Sequence, residues 1–129
     1  MRDKDPNGFP YADDHSKLFH SISAGDPDKN ILRYWFWCPG CDQLHNFVVK
    51  SLRDSDEWKF NKDLEHPTFK PSLGVVDHDG PQRFKCHLFL ENGKLRFLND
   101  SQHKLAGQQN IPLPDLPENY WDKHFENEN

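Results

Sequence analysis

The apolar positions of this chain come in short runs that read as strands. Ile31–Trp37, dense in β-branched and aromatic side chains, predicts a buried strand. His45–Lys50, around Phe47, Val48 and Val49, predicts a second. The alternation in Glu57-Trp58-Lys59-Phe60 predicts a short third. Pro67-Thr68-Phe69-Lys70-Pro71-Ser72-Leu73 must be extended, because a residue before proline is pushed out of the helical region. Its prolines suit a sheet edge or rim rather than a central strand. Val75 and Val76 end it, and turns are expected at Ser51–Ser55 and Asp77–Gln82.

The sharpest local pattern is Arg83–Asp100. Asn92-Gly93 is the preferred two-residue type I′ hairpin loop. With that loop, Glu91 faces Lys94, Leu90 faces Leu95, Phe89 faces Arg96, Leu88 faces Phe97, His87 faces Leu98 and Cys86 faces Asn99. One face then carries Phe84, Cys86, Leu88, Leu90, Leu95 and Phe97 and becomes the core face. The other carries Lys85, His87, Phe89, Arg96, Leu98 and Asp100. Cys86 and His87, adjacent in sequence, project to opposite sides.

The flanks are weaker. Residues 1–30 are polar, with Leu18, Phe19 and Ile22 as an apolar island and Asp13, Asp14, Asp26 and Asp28 among turn residues; they predict a loose arm or one docked helical turn. Ser101–Gly107 suggests a helical turn closed by Gly107. Ile111–Pro117 is a proline-rich extended cover. Residues 118–129 form a polar tail apart from Tyr120, Trp121 and Phe125. The expected organisation is an arm (1–30), a zinc-knuckle β domain (31–117) and a tail (118–129). The fold class is mostly β: a small antiparallel domain with short helical pieces.

Composition narrows the function. Hydrophobic residues are only 34% of the chain, so ten Phe and four Trp must carry much of the burial. A net charge of −5 without a basic block makes nucleic acid a poor default partner. No apolar run approaches the roughly 20 residues of a membrane span. The first residues carry no secretory apolar core, which points to a reducing, cytoplasmic setting. Three cysteines do not suit a disulfide framework, whereas a zinc site is satisfied by them. Cys38-Pro39-Gly40-Cys41 is the firm pair: Pro39 and Gly40 supply a tight turn that lets both sulfurs face one centre. A redox dithiol is the alternative, but no helix pattern follows Cys41. Cys86 and His45 are expected to complete the site, with His87 and His103 as rivals for the histidine position. Such a set is closed, so the zinc would be structural. Cys86 could equally be an inert core cysteine.

For catalysis the informative set is Ser72, His87 and Asp100. The register puts His87 and Asp100 on one face, and a carboxylate holding a histidine in one tautomer is the orienting half of a serine triad. Ser72 sits where a hydroxyl could be presented at a rim. His103 is a second candidate base. The bland alternative is a solvated histidine beside Lys85 and Asp100. His15, His20, His66, His78 and His124 take no role.

Several motifs line up in order: the aromatic-Cys-Pro-Gly-Cys knuckle with His45, Trp58-Lys59-Phe60-Asn61, Pro67–Leu73, Cys86-His87-Leu88-Phe89, Gly93, Phe97-Leu98-Asn99-Asp100 and His103–Gln108. From about Tyr34 to Leu116 they resemble a family of small phage and bacterial proteins often mislabelled ammonia monooxygenase. Some of its members are encoded beside ubiquitin-like conjugation enzymes. The resemblance implies a small zinc-stabilised peptidase acting on a ubiquitin-like protein or its conjugates, in a bacterial or phage-infected cytoplasm. One departure is Ser101, where similar proteins often carry cysteine. The alternative class is a zinc-binding interaction module, such as a phage accessory protein that docks a host protein.

Overall fold

The computed structural model describes residues 8–10, 12, 17–23, 31–50, 57–76 and 84–117. It divides into two units, Met1–Trp58 with Pro114–Asn129, and Lys59–Leu113. The expected turns at Ser51–Ser55 and Asp77–Gln82, most of the polar arm and the tail aromatics lie outside the described residues.

The first unit carries a three-stranded antiparallel sheet, ordered β1-β2-β3, of β1 (Phe19–Ser23), β2 (Ile31–Cys38) and β3 (Gln43–Lys50). Phe19 and Ile22 of the apolar island therefore lie in a strand rather than a helical turn, registered with Phe19 opposite Trp35 and Ser23 opposite Ile31. β2 was expected to be buried throughout, yet only alternate positions are. Leu32, Tyr34, Phe36 and Cys38 are fully buried, while Trp35 and Trp37 are half-buried on the other face. The indole of Trp35 stays there by donating to Ser21 Oγ at 2.8 Å. A strand has only one buried face when the opposite face is open, however apolar its sequence. Phe36 stacks on Phe47 with centroids 5.4 Å apart. Cys38 pairs with Gln43, so Pro39, Gly40, Cys41 and Asp42 form the turn. The positive φ falls on Asp42 (54°), not on Gly40, and Asp42 N–H closes the turn on Cys38 C=O at 2.8 Å.

The second unit carries a five-stranded antiparallel sheet, ordered β4-β5-β6-β7-β8. Its strands are β4 (Lys59–Phe60), β5 (Phe69–Val76), β6 (Phe84–Glu91), β7 (Lys94–Phe97) and β8 (Ile111–Pro112). The β6–β7 register is the one the Asn92-Gly93 loop predicts, from Leu88 opposite Phe97 to Glu91 opposite Lys94. Both loop residues have positive φ, 51° and 75°, as a type I′ turn requires. The tip is fastened to the chain before β5: Asn92 N–H donates to Thr68 Oγ1 at 2.7 Å, and Gly93 N–H to Pro67 C=O at 2.9 Å. Cys86, Leu88, Leu90, Leu95 and Phe97 are all buried.

Two expectations are corrected here. β5 is an inner strand, not an edge. Its one proline, Pro71, is tolerated because β4 reaches only Phe69 and Lys70 on one side, and because the ladder to β6 shifts between Phe69 and Leu73 on the other. Phe69 faces Leu90 and Leu73 faces Leu88, so Lys70, Pro71 and Ser72 together oppose Phe89. Bulges are where sheets accept proline. The second correction concerns residues 101–107, which form hydrogen-bonded turns rather than helix; Ala106 N–H reaches His103 C=O at 3.1 Å. No helix occurs among the described residues. Gly107 does close the segment with φ 79°, and a Cβ there would collide with the Asn99 side chain.

Candidate active site

The β5 bulge turns Ser72 onto the half-exposed face of β6. Gly74 pairs with His87, and Ser72 Oγ lies 2.9 Å from His87 Nε2. His87 Nδ1 lies 3.1 and 3.0 Å from the two carboxylate oxygens of Asp100. An ionised carboxylate can only accept, so Nδ1 carries the proton. In the neutral ring that leaves Nε2 to accept the Ser72 hydroxyl proton. Bulges next to functional sites commonly re-aim a side chain in this manner. The antiparallel pairing of β5 with β6 brings Ser72 beside His87, and nothing local in the sequence signals that meeting. The bulge itself leaves no trace there either.

Asp100 reaches His87 by a different route from the ladder expected of it. β7 stops at Phe97. The chain then turns, with Ser101 N–H donating to Leu98 C=O at 3.1 Å. The His87 side chain is 18% exposed and that of Asp100 53%.

The opposite, buried face of β6 carries a second group. Thiol and imidazole atoms of Cys38, Cys41, Cys86 and His103 all lie within 4.8 Å of one another. None of the three cysteines is in a disulfide. His103 Nε2 is 3.4 Å from Cys86 Sγ, and its ring meets Phe97 edge-on at 4.7 Å. Tetrahedral zinc with thiolate and imidazole ligands spaces its donor atoms roughly 3.3–3.8 Å apart. The His103–Cys86 pair already has that spacing and no pair exceeds 4.8 Å, so these residues lie close enough to hold a metal ion. One local bond opposes it: Leu105 N–H donates to His103 Nδ1 at 3.1 Å. A metal on Nε2 needs the ring proton on Nδ1 and would break that bond. The cost, about 1 kcal/mol, is small beside the ~10 kcal/mol that structural zinc sites supply.

His45 is not in this group. It pairs with Phe36 across β2 and β3, meets its ring at 5.9 Å, and is buried with Nε2 lacking a hydrogen-bond partner. Proximity in sequence to Cys41 made it the local choice; the alternation of β3 turns it to Phe36. His103 lies with the cysteines, and its engagement there also separates it from Ser72's partner, His87. Ser101, absent from the expected site residues, touches His87 directly: its hydroxyl lies 2.9 Å from His87 N and 3.0 Å from His87 O.

A hydroxyl, an imidazole and a carboxylate linked in that order, on a small antiparallel β scaffold, have the connectivity of serine-hydrolase triads. The family comparison agrees with this class. The chain belongs to the BubE family, described as bacterial ubiquitination-like system serine protease, whose model matches residues 11–98. The match includes Ser72, His87 and all three cysteines and ends two residues before Asp100. We found no matching curated protein and no matching solved structure.

Proposed function

We propose that this protein is a serine protease of a bacterial ubiquitination-like system, with Ser72 as nucleophile, His87 as general base and Asp100 orienting the imidazole. Serine is a weak nucleophile at neutral pH unless a base removes its proton. As Ser72 Oγ attacks the substrate carbonyl, its proton passes to His87 Nε2, and the imidazolium is stabilised by Asp100 through Nδ1–H. His87 then gives that proton to the leaving amine, which departs and leaves an acyl ester on Ser72. Water attacks the ester with His87 again as base, and the carboxylic acid and free Ser72 are regenerated. The observation that carries this reading is the continuous chain of contacts, 2.9 Å from Ser72 to His87 and 3.0 Å from His87 to Asp100.

We further infer that Cys38, Cys41, Cys86 and His103 bind one zinc ion. Such an ion would supply a closed structural crosslink and no chemistry at Ser72. The substrate is taken to be a ubiquitin-like protein or its conjugates, in a bacterial cytoplasm, where thiols remain reduced. No helix among the described residues is long and apolar enough to cross a membrane. The test is a fluorophosphonate probe, which reacts only with activated serines, followed by peptide mapping. Labelling at Ser72, abolished in Ser72→Ala and His87→Ala, is expected. Absence of labelling in folded, metal-loaded protein would instead favour the zinc-binding interaction module.

A further inference from the structure

We propose that Ser101 is a positioning residue of this site: its hydroxyl clasps the backbone of His87 and thereby fixes Asp100 against the imidazole. The inference rests on the reading of Ser72, His87 and Asp100 as catalytic. Ser101 Oγ accepts from His87 N–H at 2.9 Å and donates to His87 C=O at 3.0 Å. A hydroxyl is both donor and acceptor. Here it reproduces the two-bond exchange that a residue of an opposing antiparallel strand would make. β7 ends at Phe97; backbone beyond it supplies only the bond to His87 C=O, from Leu98 N–H, while His87 N–H is met by Ser101 Oγ. Flanking backbone bonds run along the same path, Leu98 N–H to His87 C=O at 2.9 Å and Gln102 N–H to Lys85 C=O at 3.1 Å.

The need for the clasp follows from exposure. The Asp100 side chain is 53% exposed. Ion pairs in water hold two side chains together weakly, so the pair needs a scaffold to keep its geometry. Ser101 is the next residue along, is only 7% exposed, and is anchored to the same histidine that Asp100 must face. Two neighbouring residues therefore grip His87 at three points: Asp100 at Nδ1, and Ser101 at the backbone N–H and C=O.

The experiment uses the full chain, metal-loaded, in three forms: wild type, Ser101→Ala and Ser101→Thr. Each is followed by fluorophosphonate labelling and by the proton NMR signal of the hydrogen-bonded His87 Nδ1–H. In Ser101→Ala the maximal labelling rate should fall roughly 10- to 100-fold, as misplacement of a catalytic group does, with little change in probe affinity. The Nδ1–H signal should broaden or vanish by exchange with water. Ser101→Thr keeps the hydroxyl and should restore both. Wild-type labelling and an intact signal in Ser101→Ala would overturn the proposal, as would a Ser101→Thr protein that folds and behaves like the alanine form. A wild type whose Ser72 does not label would overturn the catalytic reading alone. The NMR signal would still decide whether Ser101 orders His87 and Asp100.

Discussion

Cys86 and His87 are consecutive residues of β6 that serve two different environments. Cys86 is fully buried, with His103 Nε2 3.4 Å from its sulfur and Cys38 and Cys41 in the same group. His87 is partly open, with Ser72 and Asp100 on its two ring nitrogens. Alternation along a strand is the whole cause of the separation. On the function proposed above, its consequence is a division of labour. A thiol–imidazole pair could in principle be a nucleophile and base, but Cys86 has no access to a substrate. A half-exposed hydroxyl–imidazole pair has that access, while its donor set offers a metal little. The segment after β7 serves both sides, giving Asp100 and Ser101 to His87 and His103 to Cys86.

The strongest way to break the comparison is to remove one side and look for damage on the other. Ser72→Ala and His87→Ala should each cut proteolysis by a factor of ~10⁴ or more, and the double variant should lose little further, because triad members act as a unit. Metal content by elemental analysis and melting temperature should stay near wild type in both. If either variant loses metal, the two faces are not independent. Cys86→Ser makes the converse test. A structural zinc supplies on the order of 10 kcal/mol to folding, comparable with the whole 5–15 kcal/mol stability of an ordinary domain. The variant, or the chelated wild type, should therefore melt more than about 10 °C lower or unfold, and bind less than one metal per chain. An unchanged melting curve after verified metal removal would make the cysteine cluster a packing feature.

How far the sequence discloses this arrangement depends on how local the cause is. The β6–β7 register was legible because one dipeptide, Asn92-Gly93, selects a turn with positive φ at both positions, and alternation then assigns every side chain. The opposition of Cys86 and His87 followed from it. The meeting of Ser72 and His87 depends on pairing between strands and on a bulge that sets Lys70, Pro71 and Ser72 against Phe89. The prolines around β5 pointed to a sheet edge, whereas β5 lies between β4 and β6. His103 could not be preferred to His45, because spacing favours the histidine near Cys41 while the fold brings the remote one to the sulfurs. Ser101 drew notice only as a departure from cysteine; its contacts to the His87 backbone have no sequence pattern.

A moderate effect is expected far from both faces, at the tip of the same hairpin. Gly93 has φ 75°, and its carbonyl accepts Leu113 N–H at 3.0 Å, which brings β8 onto β7. An alanine there must adopt a conformation that costs roughly 1–2 kcal/mol. Gly93→Ala should lower the melting temperature by about 4–8 °C per kcal/mol in a small domain, while Ser72 labelling and metal content per folded molecule stay as in wild type. Loss of either would show that hairpin geometry is transmitted along β6, and that the independence of its faces depends on an intact tip.

The smallest effect is expected at Asp63, in the turn that leads from β4 towards β5. Its carboxylate accepts Glu65 N–H at 2.9 Å and His66 N–H at 3.1 Å, and Asn61 Oδ1 ties the same loop by accepting from Asp63 N–H and Thr68 N–H. The backbone bonds from His66 and Glu65 hold the Asp63 carboxyl below its ordinary value of 3.8. The sign follows from that direction. A carboxyl whose pKa is lowered by folding contributes stability that is present above its unfolded value and is lost as pH falls through the lowered one. Wild type should thus melt slightly above Asp63→Asn at neutral pH, and the difference should shrink below about pH 4. The side chain is 48% exposed, so solvent screens it and the gap should be small. Acid also protonates thiolate and imidazole ligands and releases metal, an effect large enough to hide this one. The comparison must be between the two proteins at each pH, both metal-loaded or both chelated, and not along one protein's titration. A gap that widens in acid would reverse the sign and remove the Asp63 turn as the source. A gap that closes with acid in both metal states would place this turn outside the chemistry of either face of β6.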